Sequence, residues 1–214
     1  MSLRHPFRLV ILVLALGVAA SELRGAPADP SGFVGELVNQ ALAALSNKQM
    51  GQEERTKHFR ELLDHDFDMP RISRFVLGRY WNDANDQDKQ QFLRLFEEYV
   101  VRSYAQRFSQ YSGEQVKILG ARPESETSTL VQSQILRLNG APPAKVDWRV
   151  RKGESGFKIV DVDVEGVSMI VTQREEFSSV IQRSGGVAGL NKTLQEKLAA
   201  GDTSLASPPL PKNQ

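Results

Sequence analysis

The 214-residue chain has no cysteine and only three histidines, His5, His58 and His65. Without thiols there is no disulfide, no thiolate nucleophile and no cysteine for a lipid anchor, so packing alone must hold the fold. An excess of one charge is missing too. Twenty-seven Lys and Arg face 26 Asp and Glu, for a formal charge of +1, which leaves no basic footprint for nucleic acid. The G-x-S-x-G elbow, the H-E-x-x-H zinc pair and the P-loop are all absent. "GGVAG" (Gly185 to Gly189) lacks the preceding strand and spacing of a dinucleotide loop and reads as a helix break. Nor is there an apolar run of bilayer length. "LVILVLALGVAA" (Leu9 to Ala20) is about a dozen residues, against the roughly 20 a spanning helix needs.

That short run is flanked by Arg4 and Arg8 on one side and small residues on the other, the pattern of an export signal. Cleavage after Ala28, with Ala26 at the −3 position, and cleavage after Ala20 are both compatible with it. We take residues 1–28 as the signal peptide; losing them turns the formal charge slightly negative. The expected destination is an exported compartment, the bacterial periplasm.

Candidate metal ligands are few. His58, Glu61, Asp64 and His65 lie on one helical stretch, but on a charged face that reads as solvated surface, so no metal and no organic cofactor is expected.

What is present is clear periodicity. Phe33, Leu37, Val38, Ala41, Leu42 and Leu45 recur at helical spacing, and Phe59, Leu62, Leu63 and Phe67 form a second apolar stripe. "DMPRISRFVLGRYW" predicts a third helix, capped by Asp68 with Pro70 just inside it. A long helix then runs from about Asp86 to Tyr111. From Gly113 the period changes to two. Four strand-like runs follow up to Gly166, with Val146, Trp148 and Val150 alternating with Lys145, Asp147, Arg149 and Arg151, and Val160, Val162 and Val164 with Asp161, Asp163 and Glu165. Such alternation predicts an antiparallel sheet with one buried and one wet face. It puts Asp147, Asp161 and Asp163 on the wet side, where nothing tunes them for general-base work. Two helices, about Ser168–Ser184 and Val187–Ala199, close the domain, and residues 201–214 read as a Pro- and Ser-rich disordered tail. The class is α+β, with one domain over residues 29–200.

The long helix carries Phe92, Phe96, Tyr99, Tyr104, Phe108 and Tyr111, over a third of the chain's aromatic residues. A stripe that wide fits either a central core helix or the wall of a cavity.

The block "KIVDVDVEGVSMIVTQREEFSSVIQRSGGVAGLNKTL" (Lys158 to Leu194) resembles the signature of the MlaC family, also called the toluene-tolerance family. Its pattern is a strand, an E-G-V-S-M-like turn, a T-x-x-x-(E/D)-(F/W) helix and a G-(I/V)-x-G-L segment. "RFVLGRYW", "FLRLFEEYVVRSYAQRFSQYSGE" and "PPAKVDWRVRKGESGFKI" follow the family's order, so the resemblance covers roughly Phe33 to Leu198. It implies an NTF2-like fold: a curved antiparallel sheet covered by helices around a hydrophobic cavity. The implied role is a soluble periplasmic phospholipid carrier, not an enzyme. The implied partners are an inner-membrane ABC transporter with an MCE-domain protein and an outer-membrane lipoprotein complex. "FVLGRYW" and "VDWRV" are at least as similar to the hopanoid-associated branch (HpnM) as to the main one, so phospholipid and hopanoid-type lipid both stand as cargo. An NTF2-like isomerase or dehydratase is the alternative, and a protein whose cavity is filled by its own side chains a third. For a lipid carrier the expected lining is drawn from Phe75, Val76, Tyr80, Phe92, Phe96, Tyr99, Val100, Tyr104, Val146, Trp148, Val150, Val167, Met169 and Ile170, about half of them plain core.

Overall fold

A computed structural model describes residues 29–47, 49–108, 111, 113–138 and 140–202. The signal peptide expected at 1–28 and all but the first two residues of the expected tail lie outside the described residues. The helices are α1 Pro30–Ser46, α2 Gln52–Asp66, α3 Met69–Leu77, α4 Tyr80–Asp83 and α5 Asp86–Phe108. The strands β1 Gln115–Pro123, β2 Ser128–Leu136, β3 Ala144–Gly153, β4 Gly156–Val164 and β5 Val167–Ser168 follow, then α6 Met169–Ser184 and α7 Val187–Ala199. All five strands pair antiparallel in sequence order, as the change of period at Gly113 predicts. The sheet has five strands where four are expected, because the two residues after Gly166 fold back on β4. Glu165 and Gly166 both take positive φ, 53° and 84°, as tight two-residue hairpin turns require. The Glu165 carboxylate also accepts from the Lys145 backbone N–H at 2.8 Å.

The predicted helix through "RFVLGRYW" is interrupted. Gly78 sits at φ +56°, and the Arg174 guanidinium lies 2.8 Å from where a Cβ would be. The glycine therefore serves both the turn and the close approach of α6. The long helix is described from Asp86 to Phe108, and Tyr111, its predicted end, is not helical. Local chemistry fixes other ends. The Asp29 carboxylate accepts from the Ser31 and Gly32 N–H groups, Asp68 accepts from Arg71, and left-handed Gly185 closes α6.

Two apolar clusters form. One lies among the helices: Ile72, Val76 and Leu77 of α3, Phe92, Phe96 and Tyr99 of α5, Phe177 and Ile181 of α6, and Leu190 and Leu194 of α7. The other joins α1, through Phe33, Val34, Leu37 and Val38, to Val131, Val150 and Ile159 of the sheet. Phe67, just past α2, packs against both. Its backbone bridges to Ile159, and the Asp68 N–H donates to the Ile159 carbonyl at 2.9 Å.

Candidate functional site

Residues paired across the ladder share a face, which separates two surfaces of the sheet. Val131, Trp148 and Val162 line up on one face, as do Thr129, Val150 and Ile159. The Trp148 Nε1–H donates to Ser133 Oγ at 3.0 Å, and that hydroxyl donates to the Val146 carbonyl at 2.7 Å. The indole's polar edge is thereby satisfied, leaving its rings for apolar contact. Around this face stands a collar of half-buried apolar side chains: Leu42 of α1, Leu62 of α2, Phe67, Val116 and Ile118 of β1, Phe157 and Val162 of β4, and Trp148 itself.

Leu130, Arg149 and Asp161 share the opposite face, with Gln132, Asp147 and Asp163. It is not the wet face that simple alternation predicts. Asp161 is 2% exposed and Asp147 5%. The reason is that α3 and the start of α6 cover this side of β4. A bulge at Val160 breaks the alternation as well, Val150 pairing with Ile159 but Arg149 with Asp161. Asp161 Oδ2 accepts from Arg149 Nη1 and from Ser168 Oγ, each at 2.7 Å, and Oδ1 accepts from the Ile170 N–H at 3.3 Å. Burial raises the Asp161 pKa above its ordinary value, making the carboxyl a weaker acid; the Ser168 and Ile170 hydrogen bonds and the Arg149 charge oppose it without winning. This corrects the expectation of an untuned surface carboxylate. Glu124 holds the other side of Arg149 at 2.7 Å, and that hydrogen bond keeps the Glu124 carboxyl below the usual range.

Beside this network a cleft of about 380 Å³ opens between α3, β4 and α6. It is lined by Arg71, Ile72, Phe75, Arg149, Val160, Asp161, Ser168, Ile170 and Val171. A shallower depression runs along the outer face of α6, from Val171 past Arg174 and Ser178 to Gln182.

The fourteen residues drawn from the sequence do not meet in one place. Val76, Phe92, Phe96 and Tyr99 lie in the helical cluster at 0–3% exposure. Phe92 and Phe96 stack at 5.5 Å between centroids, and Phe177 meets Phe92, Phe96 and Tyr99 at 5.7–6.0 Å. These rings cover one another. Val146, Trp148 and Val150 sit on the α1 side of the sheet, Val146 and Val150 buried and Trp148 half-buried. Val100 and Tyr104 are half-buried on α5, Tyr104 with its ring 6.0 Å from Phe59. Tyr80 is half-buried, its hydroxyl accepting from Arg79 at 2.9 Å and from Gln182 at 3.2 Å; the Arg79 bond lowers its pKa. Phe75 and Ile170 line the cleft. Val167 is exposed and Met169 half-buried.

Sequence reading missed the Arg149–Asp161–Ser168 network. A serine placed to cap α6 was the available signal, since the Ser168 Oγ accepts from the Val171 N–H while donating to Asp161. It missed the half-buried collar too, although Leu62 and Phe67 stood in the second helical stripe. Among the described residues no group of His, Asp and Glu has the arrangement to hold a metal ion. Among them, no helix is long and apolar enough to cross a membrane.

The family model described as "MlaC protein" matches residues 35–196. Among curated proteins the chain is similar to the intermembrane phospholipid transport system binding protein MlaC of Haemophilus influenzae. The identity is 26% over 113 residues, 51% of this chain and 53% of that protein, so the match spans about half of the relative's length. Among solved structures it is similar to a phospholipid-binding protein from Ralstonia solanacearum in complex with a phospholipid. That match has a TM-score of 0.71 and 27% identity, and covers 81% of this chain and 99% of the other.

Proposed function

The chain belongs to the MlaC family, and on that premise we propose that it is a periplasmic lipid carrier. It holds the tails of a phospholipid, or a hopanoid-type lipid, and moves lipid between inner-membrane and outer-membrane complexes. The expected partners are an inner-membrane ABC transporter with its MCE-domain protein and an outer-membrane lipoprotein complex. Residues 1–28 act as the export signal, 29–200 form the lipid-binding domain and 201–214 a tail. The observation that carries the reading is the half-buried apolar collar around Trp148 in a fold that superposes on a phospholipid-bound relative.

The physics asks for such a surface. Exposing acyl chains costs on the order of 0.8 kcal/mol per methylene, so a two-chain lipid in water carries a penalty of roughly 25 kcal/mol. A carrier removes it by non-directional burial, which needs no reacting group. Drug-sized ligands occupy pockets of about 300–1,000 Å³. The 380 Å³ cleft is at the small end of that range and lies on the sheet face opposite the collar, so a two-chain lipid held at the collar requires the layers around it to separate. Within the expected pool, the half-buried residues Val100, Tyr104, Trp148, Met169 and Ile170, together with Phe75, are the best candidates for tail contact. The fully packed rings of the helical cluster serve better as scaffold. The enzyme alternative needs a free, tuned carboxylate. Asp161 is tuned by burial, yet both its oxygens are engaged by Arg149, Ser168 and Ile170, which favours a structural staple.

Native mass spectrometry of gently purified protein tests this directly. Bound lipid in stoichiometric amount supports the carrier; a small polar product or an empty protein after gentle handling overturns it. Val100→Glu and Met169→Glu sharpen the site. A lining position keeps its fold by circular dichroism but loses lipid, because the new carboxylate cannot be desolvated by tails. If both variants fold and keep their lipid, the lining lies elsewhere.

A further inference from the structure

The outward faces of α3 and α6 lie side by side and carry an unusual combination. Phe75 and Val171 are large apolar residues left 38% and 42% exposed. Around them stand Arg71, Arg74, Arg79 and Arg174. The Arg174 guanidinium sits 5.3 Å from the centre of the Phe75 ring, and that of Arg74 5.9 Å from the Trp81 ring. Three arginines elsewhere are tied closely to carboxylates, Arg60 to Glu97 and Glu98, Arg102 to Glu98, and Arg149 to Glu124 and Asp161. Among the described residues these four make no ion pair. Glu175 borders the patch and Asp83 lies near Arg79, so the local balance stays positive.

We propose that this patch docks the protein on the surface of a bilayer rich in anionic phospholipid. Charge selects that occupant. Guanidiniums without a carboxylate ion pair match lipid phosphates, while an exposed ring and a valine between them fit the shallow apolar zone beneath the headgroups. The chain's own ends do not complement it. Residues 1–28 carry Arg4, Arg8 and Arg24 against Glu22, and residues 203–214 carry Lys212 alone. Phe75 and Val171 also line the 380 Å³ cleft, so docking turns that opening toward the bilayer. Only this last point, what the docking is for, rests on the lipid-carrier reading.

The test is sedimentation of the exported, purified protein with phosphatidylglycerol–phosphatidylcholine vesicles and with pure phosphatidylcholine vesicles, at low and high salt. Binding should be at least tenfold stronger to the anionic vesicles and should fall with added salt. A surface cation contributes about fivefold, so the double variant Arg74→Glu/Arg174→Glu should lose roughly twenty-fold or more, while Arg74→Lys/Arg174→Lys keeps its binding. Native protein and variants share the same ends, so the difference reads the patch alone. Equal binding to both vesicle types, or an unaffected double glutamate variant, overturns the proposal. So does indifference to vesicles with Arg174-dependent retention on polyglutamate, which would assign the patch to an acidic protein. Salt dependence of the native protein decides the matter even if the double variant misfolds. Lipid content by mass spectrometry is read separately: an empty protein that still docks defeats the carrier reading and not this one.

Discussion

The helical cluster and the sheet–α1 cluster are built from similar residues and packed to different ends. In the first, Phe92, Phe96, Tyr99 and Phe177 shield one another, and buried residues outnumber the half-buried apolar ones packed around them. In the second, a small set of buried residues is ringed by half-buried apolar ones. Composition does not separate a sealed core from an apolar surface left half open. Completeness of burial does. The helical cluster is suited to hold the fold, and the sheet side to give way.

The sharpest way to break this distinction is Phe177→Ala. It empties the centre of the ring cluster and should cost about 4 kcal/mol by urea denaturation, whether or not lipid is bound. A cost near 1 kcal/mol would mean that cluster is loosely packed too. Next is Asp161→Ala, which leaves Arg149 with Glu124 alone and removes the acceptor of the Ser168 hydroxyl and the Ile170 N–H; about 3 kcal/mol is expected. Asp161→Asn should cost less and change the pH profile. Burial raises the Asp161 pKa in the folded protein above the ordinary 3.8. The folded state therefore binds the proton more tightly than the unfolded chain. Its contribution is full below pH 3.8 and is lost as pH rises through the raised folded value. Urea midpoints measured across that window should fall with pH in the native protein and fall less in Asp161→Asn.

On the sheet side the expected losses shrink. Ile118→Val removes a methyl from a half-buried position and should cost at most about 1 kcal/mol. Trp148→Ala should lower lipid content by mass spectrometry more than its stability loss explains, which Phe177→Ala should not. Smallest is Lys192→Ala, which deletes an exposed pair with Glu196 and should stay within about 0.5 kcal/mol.

Much of the fold was legible because periodicity reports burial. The change at Gly113, the cap at Asp68 and the break at Gly185–Gly186 all lie where local chemistry puts them. Gly78 was not legible, since "RFVLGRYW" keeps a helical pattern through it and the cause of the break, Arg174, comes from a helix nearly a hundred residues later. The faces of Asp147 and Asp161 failed for a related reason. Alternation told which residues share a side, but not that α3 and α6 cover that side or that Val160 bulges. Which apolar residues are sealed and which are left half open was the least legible. Phe96 and Trp148 look alike in sequence as apolar wall, and only the partners of each side chain show that one is sealed and the other half open.

The attachment of Phe67 and Asp68 to Ile159 has a mechanical consequence. It pins one end of α2 to the fourth strand, reinforced by the Lys158 ammonium donating to the His65 carbonyl, while the opposite end at Gln52 is not held to the sheet in this way. The helix is then a lever with a fixed fulcrum. Its 15 residues make an arm of about 22 Å at 1.5 Å per residue, so a swing of about 10° at the fulcrum carries the far end about 4 Å. That travel is opposed by Arg60, which ties the middle of α2 to Glu97 and Glu98 of α5, so those ion pairs set how far the arm can move.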